Sequence, residues 1–178
     1  MTLEPVGVSG LIRAWNANAL FMCLKFAFAV AAGCTVVIKP SEMSSLQARV
    51  LVEALHEAKL PNGLLNVVTG LGTTVGAELV RNPDVAKISF TGSVAVGQSI
   101  MRDGAATMKR VRLELGGKSP TILLDDANLK EVIPAALVLA FMNSGHPRLH
   151  LARSRVMGLR NADLTFEAFH EENRLWVH

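Results

Sequence analysis

Val85-Ala86-Lys87-Ile88-Ser89-Phe90 runs into Thr91-Gly92-Ser93 and on into Val94-Ala95-Val96-Gly97. The first six residues read as a strand. Gly92-Ser93 punctuates it, and a helix is predicted from Val94 to about Asp103. A strand that passes through a Gly-Ser junction into a helix is half of a βαβ unit. The unpaired N–H groups at the start of such a helix, with its dipole, suit a phosphate group. By itself, the junction is more often ordinary punctuation.

The same alternation extends to both sides. Ala17 to Ala32 reads as a buried helix, and Thr35-Val36-Val37-Ile38 as a strand bounded by Gly33 and Pro40. Ser44 or Ser45 caps a helix running to about Lys59. Leu65 to Val68 is a strand closed by Gly70, and Thr73 to Arg81 a short helix. Arg110 to Leu115 and Thr121 to Leu124 are further strands, and Asn128 to Asn143 is helical with Pro134 in its first turns. Alternation at this spacing predicts an α/β fold with a parallel sheet and flanking helices. Its ligand site belongs at the C-terminal edge of the strands.

Composition narrows the function. Hydrophobic residues make up 50% of the 178 and mean hydropathy is +0.33, carried by Ala, Val and Leu with no Tyr. The net charge is +3 without a basic stripe, so nucleic acid is not an expected partner. The apolar stretch from Phe26 to Ile38 is too short to span a bilayer. No N-terminal signal pattern precedes Glu4-Pro5, and the two cysteines, Cys23 and Cys34, read as buried reduced thiols. These features predict a cytoplasmic protein, and no metal-ligand cluster is read.

From His146 the texture changes. The last 33 residues hold four of the five His and five of the eleven Arg but no Lys. Ala162 to Leu175 forms only a ragged helical stripe.

Several short motifs carry chemistry. Lys39-Pro40-Ser41-Glu42 places a cation, a hydroxyl and a carboxylate at a strand end, which fits a ribose or an ordinary turn. Gly70-Leu71-Gly72-Thr73-Thr74-Val75-Gly76 misses the spacing of a dinucleotide fingerprint, because Val75 stands where the third Gly belongs. Gly117-Lys118-Ser119 is not a P-loop, because Arg112 stands where its first Gly is required. Asn16, after Trp15, reads as a helix cap or as an amide donor. Glu114, beside Gly116-Gly117, reads as a solvated carboxylate or as a base approached closely by a ligand.

Taken together, Ala14-Trp15-Asn16, Lys39-Pro40-Ser41-Glu42, Phe90-Thr91-Gly92-Ser93, Glu114-Leu115-Gly116-Gly117-Lys118 and Phe141-Met142-Asn143-Ser144-Gly145 resemble the aldehyde dehydrogenase family in order and spacing. The resemblance covers about residues 4 to 145. It implies a partial Rossmann-like dinucleotide-binding domain over 1–115, the start of a catalytic domain over 116–145, and a tail over 146–178 unlike the family. It also implies oxidation of an aldehyde to a carboxylic acid through a cysteine thioester, with homo-oligomers as the intact assembly. The family's N-terminal portion, most of its catalytic domain and its oligomer strands are then missing.

The implied cofactor is NAD, with NADP left open, because Glu42 repels a 2′-phosphate. Its implied contacts are Trp15, Lys39, Ser41, Glu42, Gly72, Gly92, Ser93 and Leu115. Asn16 supplies the oxyanion-hole amide, worth roughly 2.7–4 kcal/mol of transition-state stabilisation, although Ala14 replaces the family's Pro. Glu114 activates the hydrolytic water. Counting on from Phe141 without gaps, Arg148 stands where the nucleophilic cysteine belongs. The expectation is therefore a chain without dehydrogenase turnover, or alternatively a non-catalytic dinucleotide-binding or oligomer-partner remnant. Arg148-Leu149-His150-Leu151, written as CGC-CTG-CAT-CTC and shifted by one base, contains Ala-Cys-Ile, a tripeptide of the family's nucleophile. This points to a reading-frame change near codon 146.

Overall fold

The computed structural model describes residues 4–16, 18–117, 120–124, 126–145 and 153–157. Arg148 and the segment 162–175 lie outside them. The chain divides into two compact units, Met1–Leu115 and Gly116–His178.

The first unit is a five-stranded, all-parallel sheet in the order β3-β2-β1-β4-β5. Its strands are β1 Val8–Ile12, β2 Thr35–Lys39, β3 Leu65–Val67, β4 Val85–Gly92 and β5 Arg110–Leu115. The connecting helices are α1 Asn18–Ala31, α2 Ser45–Glu57, α3 Ala77–Arg81 and α4 Val94–Gly104. The chain runs outward from β1 to β3, then restarts on the other side of β1 with β4. The order therefore reverses at β1, where ligands of open parallel sheets bind.

Alternate side chains of the strands build two cores. On one face Leu11, Val36 and Ile38 pack with Met22 and Phe26 of α1 and Ala48 of α2. On the other, Ile12, Val85, Ile88 and Phe90 pack with Leu79 and Val80 of α3 and Ile100 of α4. In β5, Val111, Leu113 and Leu115 turn to this second core while Arg110, Arg112 and Glu114 are exposed opposite.

Three local features depart from the sequence reading. The central strand β1 was not anticipated, because Ser9-Gly10 interrupts its apolar run. Helix α1 is not buried throughout: Met22 and Phe26 are, whereas Leu20, Phe21, Cys23, Leu24 and Phe28 are exposed. Only one side of α1 meets the sheet, and no described element of this unit covers the other. Ser44 precedes α2 without a side-chain cap bond; Ser41 caps the preceding 3-10 turn instead, its hydroxyl accepting from Met43 N–H.

Helices α1 and α2 both end in Schellman turns. Cys34 N–H donates to Ala29 O and Gly33 N–H to Val30 O, with Gly33 at φ +75°. After α2 the same bonds run from Leu60 to Leu55 and from Lys59 to His56, but the left-handed position is Lys59, at φ +54°.

In the second unit, β6 Pro120–Leu124 pairs in parallel with β7 Arg153–Met157, and α5 Leu129–Gly145 connects them with Pro134 inside it. The strand read at Thr121–Leu124 thus belongs to a separate sheet, and β7 was not anticipated.

Two substitutions test this account by urea denaturation of the full chain. Ile38→Ala, at a fully buried position in β2, is expected to cost about 2–5 kcal/mol. Lys59→Gly is expected to stabilise by up to about 1 kcal/mol, because glycine carries no left-handed penalty.

Candidate cofactor and active site

The predicted site residues converge on the C-terminal edge of the five-stranded sheet. At the end of β2, Lys39 is buried and its Nζ donates to Glu42 Oε1 at 2.8 Å. The same oxygen accepts from Gly72 N–H at 2.6 Å. Glu42 therefore ties the end of β2 to the loop following β3. These bonds, led by that from Lys39, hold its carboxyl below the ordinary range. Their contribution to stability is present above the unfolded-state pKa and is lost as pH falls through the lowered folded value. Ser41 is buried beside them. An open groove of about 400 Å³, lined by Val68, Thr74, Val75, Glu78 and Leu79, flanks the same loop.

At the end of β4, Ser93 caps α4, its hydroxyl accepting from Val96 N–H at 3.3 Å. A Cβ on Gly92 would meet the Phe90 ring at 2.4 Å, and one on Gly97 would meet Leu115 Cδ2 at 2.7 Å. The two glycines let the backbone turn tightly at Ser93 and let α4 lie close on β5.

At the end of β5, Leu115 packs into the second core. Glu114 is half-exposed and accepts from Arg112 Nη2 at 3.2 Å and Nε at 3.3 Å. Arg112 is itself largely exposed, so this pair holds Glu114 weakly. After β1, Trp15 is exposed and Asn16 half-buried; α1 begins two residues beyond Asn16, at Asn18.

The structure adds two residues that the sequence reading did not select, Arg13 and Lys25, both bonded to Thr91 of the Phe90-Thr91-Gly92-Ser93 motif. Arg13, which follows β1, is only 4% exposed, and its Nη1 donates to Thr91 Oγ1 at 2.8 Å. Lys25 Nζ of α1 donates to the same hydroxyl at 3.0 Å. The guanidinium lies over the Phe21 ring, 4.7 Å from its centroid. Burial lowers the Arg13 pKa to about 10 against the opposing pull of Glu114. Burial first, then the Arg13 charge, lowers Lys25 to about 8. The sequence signals were an Arg closing an apolar strand and a Lys inside an apolar helix. Their partnership with Thr91 appears only in three dimensions.

A sequence profile described as the aldehyde dehydrogenase family matches residues 1–158. The chain belongs to the aldehyde dehydrogenase family. The match runs past residue 145, where the sequence reading ends the resemblance. Aldehyde dehydrogenase family 2 member C4 of Arabidopsis thaliana is 46% identical over 154 residues, covering 86% of this chain and 30% of that protein. The 2-aminomuconic semialdehyde dehydrogenase of Mus musculus is 43% identical over 173 residues, covering 97% of this chain and 35% of that protein. The NAD+ complex structure of aldehyde dehydrogenase from Bacillus cereus has a TM-score of 0.90 and 39% identity, covering 95% of this chain and 34% of that one. The chain thus spans about a third of the length of these relatives.

The lowered Lys25 pKa has a signed consequence in this aldehyde dehydrogenase chain. A folded pKa of about 8 against an ordinary 10.5 means the charged form costs the folded state below pH 8. Stability should therefore rise as pH climbs from about 8 towards 10.5. NMR of the 13C-dimethylated chain should show one lysine titrating near pH 8, absent in Lys25→Met. Denaturation midpoints of that variant should show a smaller alkaline rise, because Lys109, whose pKa burial also lowers, remains.

Proposed function

We propose that residues 1–115 form the dinucleotide-binding part of an aldehyde dehydrogenase that takes NAD in preference to NADP, with residues 116–145 opening its catalytic domain. The observation that carries this reading is the convergence of the Lys39–Glu42–Gly72 clamp, the Ser93-capped start of α4 and Glu114 on one sheet edge. The donor set fits the cofactor. A ribose diol both donates and accepts, matching the Glu42 carboxylate and the Lys39 ammonium, with Ser41 alongside. A further phosphate on that ribose would face Glu42, which disfavours NADP. The groove at Val68, Val75 and Leu79 suits a flat base. The glycine-lined turn at Gly92-Ser93 presents helix N–H groups to a diphosphate, and Trp15, Gly72 and Leu115 border the same edge. Bound there, the cofactor would supply the hydride acceptor for aldehyde oxidation.

Within the family's reaction, Asn16 provides an amide donor for the oxyanion. Glu114, once it releases Arg112, accepts a proton from the hydrolytic water. The nucleophile is the departure. The chain has two cysteines: Cys34 is buried, and Cys23 lies on α1. Arg148, at the position counted for the nucleophile, cannot attack a carbonyl. The proposed outcome is cofactor binding without turnover in this polypeptide, in a cytoplasmic setting, and aldehyde oxidation in intact, homo-oligomeric family members that carry the cysteine.

Calorimetry on the full chain should give a Kd for NAD+ on the order of micromolar, weaker binding of NADP+, and a loss of about tenfold on Glu42→Ala. Incubation with NAD+ and propanal should yield no NADH. Absence of NAD+ binding overturns the cofactor assignment. NADH formation abolished by Glu114→Gln overturns the assignment of inactivity.

A further inference from the structure

We infer that Arg13, Lys25 and Thr91 form an oxyanion-binding site at the switch point of the sheet, beyond the ribose and helix contacts assigned above. The argument begins with hydrogen-bond accounting. A threonine hydroxyl has two lone pairs and one hydrogen. Arg13 Nη1 and Lys25 Nζ occupy both lone pairs of Thr91 Oγ1, so its O–H is left to donate elsewhere.

Arg13 adds the second observation. Its Nε and Nη2 are buried and have no hydrogen-bond partner among the described residues, although the residue is only 4% exposed. The Phe21 ring covers a face of the guanidinium, whereas the N–H bonds lie in the guanidinium plane and need acceptors at its edge. Buried donors without acceptors are rare in folded proteins, and a charged one is the costliest kind. The cluster therefore presents donors and excess positive charge and, among the described residues, lacks an acceptor for Arg13 Nε and Nη2.

The surrounding charges agree. Lys87, Arg112 and Glu114 act on the Lys25 ammonium together with Arg13, so one carboxylate stands among four cations. That carboxylate is already held by Arg112. An incoming oxyanion would accept from Arg13 Nε and Nη2 and from Thr91 O–H, and would relieve the repulsion between Arg13 and Lys25. It would sit between the ends of β1 and β4, on the α1 side of the sheet, near Glu114. Two sources carry such a group: the diphosphate of a dinucleotide, and the carboxylate of a small acid that is substrate or product.

The test is calorimetry of the full chain with inorganic pyrophosphate and, separately, with acetate, while the Lys25 titration is followed by NMR. The expected result is that one of the two anions binds and raises the Lys25 midpoint. Arg13→Leu should weaken that binding at least tenfold and Thr91→Val several-fold. Pyrophosphate dependence assigns the site to the cofactor diphosphate, and acetate dependence to a carboxylate. The inference is overturned if neither anion binds, or if binding is unchanged in both variants. Should Arg13→Leu fail to fold by circular dichroism, the near-isosteric Thr91→Val decides. NAD+ titrated in parallel separates this inference from the cofactor reading. Equal NAD+ affinity in wild type and Arg13→Leu, without anion binding, sinks only the oxyanion site. Arg13-dependent anion binding without NAD+ binding sinks only the cofactor reading.

Discussion

Parallel pairing of β1 with both β2 and β4 is the constraint on which the rest of the first unit depends. It delivers the ends of β1, β2, β4 and β5 to one edge, although the chain between them is long. Arg13, Lys39 and Gly92 stand there for that reason, and Glu114 through the further parallel pairing of β4 with β5. The pairing is stabilised from both sides, because Leu11 and Ile12 commit the two faces of the central strand to different cores. Burial of both faces requires apolar residues on both, which β2 supplies with Val37 on one side and Val36 and Ile38 on the other.

How much of this was legible in the sequence depends on where each signal resides. β2, β4 and β5 carried theirs locally, as β-branched or alternating runs closed by Pro, Gly-Ser and Gly-Gly. β1 did not. Its Gly10 is dictated by a neighbour far along the chain, since a Cβ there would meet Ile88 Cδ1 at 2.8 Å, and its Ser9 is buried at 1% exposure. Neither fact is visible in a window of five residues. Helix α1 misled in the opposite direction. Apolar residues all around it read as complete burial, yet the sheet covers one stripe only.

The site divides in the same way. Motifs whose members are neighbours in sequence, such as Lys39 with Glu42 and Gly92 with Ser93, were readable as units. Contacts that close over long stretches of chain were not: Glu42 to Gly72 spans 30 residues, and Arg13 to Thr91 spans 78. Thr91 appeared in the sequence only as part of a turn motif, and its hydroxyl gains meaning from two cations that approach from different elements. Cys23 shows the limit of a residue-type prior, since its exposure is set by which side of α1 the sheet occupies.

The contact between Gly97 and Leu115 has a mechanical meaning. With no Cβ between them, α4 and β5 are in direct van der Waals contact near the ends that carry Ser93 and Glu114. Such a contact resists compression and leaves little room for sliding, so the start of the helix and the end of the strand behave as the jaws of a locked caliper. A ligand lying from one to the other is gauged against a fixed span. Adaptation to its length must then come from softer parts of the edge, of which the Glu114 side chain, tethered by an exposed arginine, is the nearest.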